Sequence, residues 1–280
     1  MEQGVEVSDV IERKERIQPE PAEALGALLN VPVPDFEAGE GLPFTWHWLY
    51  LLDRPRTEDL GQDGHPARGT IPAPPGPGRR RMWAGGAIQS LGALVCNEYA
   101  TRRTRVAQSV DKQGRTGRLT IVSVEHEISQ RDEVKVRERQ DLVYREAVDL
   151  PGPPDSAAAT PVPATDDERE IEVTPPLLFR FSALTYNGHR IHYDRDYARD
   201  VEGYPGLLTH GPLQALAMAE AARSAGLEAV PGAVFEYRLV SPLFDFQGLI
   251  TRADREGDRA DTSVRDLWGR QTACGSVTLR

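Results

Sequence analysis

RFSALTYNGHRIHYDRDYARDVEGYPGLLTHGP, residues 180–212, is the stretch on which the reading of this chain turns. It carries three of the six histidines, His189, His192 and His210, together with Asn187, Tyr193 and a terminal Gly211-Pro212 pair. Proline is favoured in the first turn of a helix, and an apolar run follows it, so a helix is predicted from Pro212 to about Ala225. A glycine just ahead of that helix leaves room for a ligand beside free N–H groups and a partial positive charge.

Downstream, strands are expected near Ala233–Pro242, Gln247–Arg255, Asp261–Leu267 and Gln271–Leu279. Upstream, a strand near Leu177–Phe181 is expected to lead into the polar loop. The Pro/Ala-rich and then acidic stretch PGPPDSAAATPVPATDDERE, residues 151–170, lacks the means to pack and reads as a linker.

The first half follows the same plan. Residues from about Val7 to Leu29 look helical, split by Pro19 and Pro21. Asp53 to Arg81 is rich in Gly, Pro and charge and is expected to be a long loop. A helix is predicted from Ala87 to about Tyr99, then strands at Thr104–Val110, Arg118–Ser129 and Glu133–Val148, the last with half-exposed alternation. Gly85-Gly86-Ala87-Ile88-Gln89-Ser90-Leu91 aligns with His210-Gly211-Pro212-Leu213-Gln214-Ala215-Leu216, which suggests a duplicated module. The expected fold class is α+β.

Asn187-Gly188-His189-Arg190-Ile191-His192, followed by His210-Gly211, resembles the MaoC-like, R-specific enoyl-CoA hydratase family of hot-dog proteins. The family pattern is an Asp-x-Asn-Pro-(Ile/Leu)-His loop and a His-Gly pair opening the central helix. Here Asn187 stands at the aspartate position, and His189 and Arg190 replace the asparagine and proline. With Arg80-Arg81-Met82-Trp83-Ala84-Gly85-Gly86 and Glu138–Arg145, the chain is similar to the subgroup of mesaconyl-CoA (3-methylfumaryl-CoA) and itaconyl-CoA hydratases and mitochondrial-type hydroxyacyl-thioester dehydratases. The resemblance covers the chain from about Phe44 onward. It implies a double hot dog, two modules each with an antiparallel sheet around a central helix. Residues 1–150 would then form a degenerate half that shapes the pocket and contacts CoA, and 171–280 the catalytic half. It also implies a hydro-lyase acting on an acyl-CoA thioester, a small branched dicarboxylic one such as mesaconyl- or itaconyl-CoA.

The residues themselves are compatible with that chemistry. Adding water across an α,β-unsaturated thioester needs a base, a proton for the α-carbon and a stabiliser for the enolate oxygen. His192 is the expected base, since an imidazole titrates near neutral pH. Asn187 cannot carry a proton, but its amide can position water or the carbonyl. The Gly211 N–H is the expected enolate donor. His189, Arg190, Tyr193 and His210 are candidate substrate contacts, although structural hydrogen bonding is the stronger reading of His189 and a turn into a short helix explains Tyr193 as easily. Arg80, Arg81 and Trp83 are candidates for holding coenzyme A phosphates or a substrate carboxylate, with a solvated charge cluster as the alternative. His47 and His126 read as structural. No metal centre and no cofactor beyond the coenzyme A of the substrate are expected, because the His-x-x-His spacing lacks a helical context for zinc.

A net charge of -10 argues against broad nucleic-acid binding, because phosphates would be repelled. Two distant cysteines, Cys96 and Cys274, argue for a reducing compartment, and the charged N-terminus and lack of long apolar runs point to a cytoplasmic protein without a membrane partner. A tandem hot dog completes within one chain the pairing that isolated modules make as dimers, and a further homodimer contact is compatible with it. A non-catalytic acyl-CoA-binding module and a hot-dog thioesterase are the competing functions.

Overall fold

Alternation sets the sheet. In β4 (Gly117–Gln130), every second residue from Thr120 to Gln130 is buried, as period-two side chains require when one face is covered. A computed structural model describes residues 10–67, 79–114, 117–146 and 160–280. The remaining strands are β1 (Ile11–Arg16), β2 (Arg79–Ser90), β3 (Tyr99–Gly114), β5 (Glu133–Glu146), β6 (Glu168–Ile171), β7 (Val234–Leu239), β8 (Leu249–Glu256), β9 (Arg259–Arg265) and β10 (Gln271–Thr278). They form one 10-stranded sheet in the order β1-β3-β4-β5-β2-β7-β10-β9-β8-β6.

The order divides the sheet between the two halves of the chain, joined edge to edge where β2 pairs antiparallel with β7 (Ile88↔Phe235). Gly85 and Gly86 sit at this junction. A Cβ on Gly85 would lie 2.5 Å from the Tyr237 carbonyl oxygen, and one on Gly86 2.4 Å from that of Arg139. Only glycine lets the backbones approach so closely. This is the expected α+β double hot-dog arrangement.

In the second half the sheet covers α3 (Gly211–Ser224), which packs against β7, β8, β9 and β10. Leu213, Leu216 and Met218 are fully buried there, each worth roughly 1.5–3 kcal/mol of transfer free energy. Two polar residues of α3 go inside with partners. Gln214 accepts from Thr272 Oγ1 at 2.7 Å, and Glu220 accepts from Trp46 Nε1 of the first half at 2.7 Å. No helix among the described residues is long and apolar enough to cross a membrane.

Five expectations fail, the last of them in part. Residues 87–90 are not helical: they belong to β2, hydrogen-bonded on both sides by β5 and β7. Ala87-Ile88-Gln89-Ser90 is too short for periodicity to separate a strand held between two partners from the first turn of a helix. With that helix goes the proposed alignment of 85–91 with 210–216, a strand set against a helix. The described helix of the first half is instead α1 (Pro19–Leu29), packed against α2 (Pro175–Leu184).

The N-terminal segment expected as two helices is a strand and a helix, because β1 gains an edge partner in β3. Leu177–Phe181 is helical, not extended, since it lies in α2, whose Thr174 N-cap accepts from Leu177 N at 3.2 Å. Thr174-Pro175-Pro176 is a helix-start signal, and the apolar run after it obscured that. Of the expected linker, residues 151–159 lie outside the described residues, and Glu168–Ile171 pairs with β8. Arg265 closes this edge on Glu168 at 2.6 Å.

Candidate active site

The loop after α2 is shaped by its own polar groups. Tyr186 takes a left-handed φ of 52, Asn187 N donates to the Ser182 carbonyl at 2.8 Å, and Asn187 Oδ1 accepts from His189 N at 3.0 Å. That Asx-type bond turns the chain into a short 3-10 segment, Arg190–His192. His192 is thereby buried, with its Nδ1 2.7 Å from the Leu208 carbonyl oxygen. A carbonyl only accepts, so Nδ1 carries the hydrogen and Nε2 presents a lone pair.

The His192 ring stacks on His210, centroids 3.7 Å apart and planes 18° from parallel. His210 precedes the first residue of α3, and its Nε2 is 2.8 Å from Ser182 Oγ. The loop histidine therefore lies against the residue that immediately precedes the Gly211 N–H, which meets no acceptor among the described residues. A Cβ on Gly211 would lie 2.3 Å from Leu239 Cδ1 and 3.5 Å from Trp83 Cβ, which brings Trp83 to the helix start. Trp83 donates from Nε1 to Tyr237 Oη at 2.9 Å, fixing the indole. His210 Nδ1 and Thr209 Oγ1 are buried with no partner among the described residues. Such orphaned groups are rare unless something else satisfies them.

Burial keeps these imidazoles neutral. It lowers His192 to about 4 against the opposing pull of the Leu208 carbonyl, with a smaller downward push from His65. His210 is driven well below its ordinary value by burial and by His192. His189 is lowered by burial, then by His65, His192 and Arg81. A neutral, oriented imidazole beside a free helix-end N–H can accept a proton while the N–H stabilises a developing oxyanion.

Two residues of this cluster went unforeseen. The turn at 61–65 of the first half, closed by Gly61 N to the His65 carbonyl at 2.7 Å, docks on the loop. Arg190 N donates to the Asp63 carbonyl at 2.8 Å, and Gly64, at φ +85, lies so close to Gly188 that a Cβ would come 1.9 Å from its carbonyl oxygen. The turn delivers His65 onto His189, centroids 3.9 Å apart, and His189 in turn meets His192 edge-on at 5.4 Å. Asp63 holds His65 through Nδ1 at 3.1 Å and through its backbone N at 2.9 Å. Asp-Gly-His in a Gly/Pro-rich loop reads locally as a turn, and nothing in its spacing points across 120 residues of chain.

The other expected contacts are spread more widely. Arg190 places its guanidinium on Asp194 at 2.7 Å, over the Tyr197 ring at 4.0 Å and on the Gln62 carbonyl at 3.1 Å. Tyr193 donates to the Gly188 carbonyl at 2.9 Å. Tyr193 spends its hydroxyl on the loop itself, and Arg190 divides its guanidinium between the loop and the first half. Arg80 pairs with Glu202 at 2.8 Å and lies over the Tyr204 ring at 4.9 Å, so its charge is already countered. Arg81 is near enough to act electrostatically on Asp63, His65 and His189.

His47 and His126 lie in a separate buried network, His47 Nε2 at 2.9 Å from Glu138 and His126 Nδ1 at 2.8 Å from Thr104 Oγ1. For a metal, Asp63, His65 and His189 offer ligand atoms all within 4.8 Å of one another, a donor set zinc accepts. The Asp63 and His65 atoms nearest each other are already joined by their hydrogen bond.

Comparison with known proteins gives the chain a family. The profile of hydroxyacyl-thioester dehydratase type 2 matches residues 45–245. The mesaconyl-C(4)-CoA hydratase of Chloroflexus aurantiacus is 41% identical over 260 residues, 91% of this chain and 90% of that one. HtdX of Mycobacterium tuberculosis superposes with a TM-score of 0.68 at 15% identity, covering 98% of this chain and 100% of that one. A MaoC-like dehydratase from Phytophthora capsici does so at 0.65 and 14% identity, over 97% of this chain and 95% of that one. At such identities the two structures speak to the fold, and the sequence matches carry the assignment: the chain belongs to the hydroxyacyl-thioester dehydratase type 2 family.

Proposed function

We propose that this protein is a hydro-lyase that interconverts an α,β-unsaturated acyl-CoA and its hydroxyacyl-CoA, with a small branched dicarboxylic substrate of the mesaconyl type. The observation that carries the reading is the placement of His192. Its Nδ1 is fixed on the Leu208 carbonyl, its Nε2 keeps a lone pair, and its ring stacks on the residue before the Gly211 N–H. Identity of 41% with a mesaconyl-C(4)-CoA hydratase supports the substrate class.

In the hydration direction, the Gly211 N–H takes the thioester oxygen, where a donor of this kind contributes roughly 2.7–4 kcal/mol to the transition state. His192 Nε2 removes a proton from water as its oxygen bonds to the β-carbon. The electron pair of the C=C bond moves toward the thioester, and the α-carbon takes up a proton. Asn187, whose Oδ1 already holds the turn, has its NH2 left to position water or carbonyl. Trp83 bounds the acyl group, and Arg81 is the cation placed to face a second carboxylate. The first half thus shapes the pocket and the second carries the base. His210 Nδ1 and Thr209 Oγ1, buried and unpartnered among the described residues, are further polar points for the substrate.

The test is a panel of short enoyl- and hydroxyacyl-CoAs monitored by mass. Gain or loss of one water with mesaconyl-type thioesters is the expected result. Release of free CoA thiol would identify a thioesterase, and tight binding with no turnover across the panel a sensor.

A further inference from the structure

We propose that His65, held by Asp63, is the second proton-transfer residue of the site, the donor to the α-carbon while His192 activates water. The inference rests on the hydratase reading above and names the residue that reading leaves open. Its ground is a substitution and a replacement in space. The loop has an amide, Asn187, where its family pattern has a carboxylate, and an amide cannot exchange a proton. A carboxylate–imidazole pair arrives at the same loop from the other half of the chain.

The arrival is specified by contacts rather than by proximity alone. Arg190 N bonds to the Asp63 carbonyl, Arg190 Nη1 to the Gln62 carbonyl, and Gly64 and Gly188 touch where neither tolerates a side chain. Both carboxylate oxygens of Asp63 are used on His65, Oδ2 on Nδ1 and Oδ1 on the backbone N. Nδ1 therefore carries hydrogen, and Nε2 is the exchanging atom. Asp63 does for His65 what the Leu208 carbonyl does for His192, so Asp63 is a positioning residue and His65 the proton carrier.

The step balances. His65 starts as imidazolium and His192 as neutral imidazole. Water loses one proton to His192 Nε2 and forms the C–O bond at the β-carbon. The former π pair forms the new C–H bond at the α-carbon with the proton of His65 Nε2, and the pair ends as His192 imidazolium and neutral His65. Exchange of one proton with solvent at each imidazole, once product has left, resets the site. The groups facing His65 are Asp63 on its own turn, His189 and His192 on the loop, and Arg81 on β2. Burial, the largest influence, and Arg81 hold the His65 imidazole below its ordinary value, and Asp63 works against them by favouring the charged form. The protonated fraction of His65 is therefore the competent one, and the alkaline limb lies below 6.5.

The experiment is the pH profile of hydration for wild type, His65→Gln, Asp63→Asn and His192→Gln, with folding checked by thermal melts. His65→Gln is expected to lower kcat about 10²–10³-fold at nearly unchanged KM and to remove the alkaline limb of the profile. Asp63→Asn, nearly isosteric, should shift that limb to lower pH, because the imidazolium loses its counter-charge, and keeps the inference testable if the glutamine variant does not fold. If wild type hydrates and His192→Gln is inactive while His65→Gln stays within threefold with the same profile, this inference falls and the hydratase reading stands. If wild type turns over no enoyl-CoA, the hydratase reading itself falls. One bound equivalent of zinc, with activity lost to a chelator and restored by zinc, would make Asp63, His65 and His189 a metal site and overturn the proposal.

Discussion

Replacing His192 by alanine removes the proposed base and also changes how the fold responds to acid. Loss of a general base slows turnover by about 10²–10⁴-fold, roughly 3–5 kcal/mol on the barrier. The effect on stability has two parts. Near neutral pH the variant loses the 2.7 Å bond to the Leu208 carbonyl and leaves that acceptor without its donor, at a cost of about 1–3 kcal/mol. In acid the sign turns. The buried ring resists protonation down to about 4, while in the unfolded chain it titrates at its ordinary 6.5. The unfolded state therefore binds the proton first. Wild-type stability falls as pH drops through 6.5, and the loss is complete below 4. At roughly 1.36 kcal/mol per pH unit, the gap is worth about 3 kcal/mol.

Alanine has nothing to protonate and escapes this loss. Urea unfolding should show the variant less stable at pH 7.5 and equal to or more stable than wild type near pH 4.5, with turnover followed by the enoyl-thioester absorbance. A deficit as large in acid as at neutrality would refute a buried neutral ring. Turnover within tenfold of wild type would refute the base.

The same geometry sets four further outcomes. Gly64→Ala puts a methyl 1.9 Å from a backbone oxygen at a φ of +85, so the turn should undock and kcat fall at least about tenfold, while denaturation shows the second half intact. Tyr237→Phe removes the acceptor of the half-buried Trp83 N–H and should cost about 0.5–1.5 kcal/mol in denaturant titration. Glu138 is held at about 2 because His47, with His126 and Gln140, outweighs the upward push of burial. Its stabilising share is thus present above 4.5 and lost as pH falls through 2, and Glu138→Ala should cost about 3–5 kcal/mol at neutral pH by calorimetry. Thiol labelling at pH 8 should modify Cys274 and spare Cys96 until the chain unfolds, since burial pushes the Cys96 thiol up to about 11.

Local chemistry in the sequence determined a good part of this protein. The glycine-proline start of α3, the alternation of β4 and β5, and the four strands after α3 are written in residues within a few positions of one another. So is the turn that leads to His192, because Ser182, Asn187 and His189 shape it through short-range bonds, whereas the Leu208 carbonyl that orients the ring comes from 16 residues further on. Only the tertiary structure decided that residues 87–90 are a strand, since what makes them one is β5 on one side and β7 on the other. The same holds for Arg80, a free cation in the sequence and a countered one beside Glu202. It holds most of all for Asp63 and His65. Their meaning comes from a contact between the two halves, and a chain carries no local record of which distant residue its turn will touch.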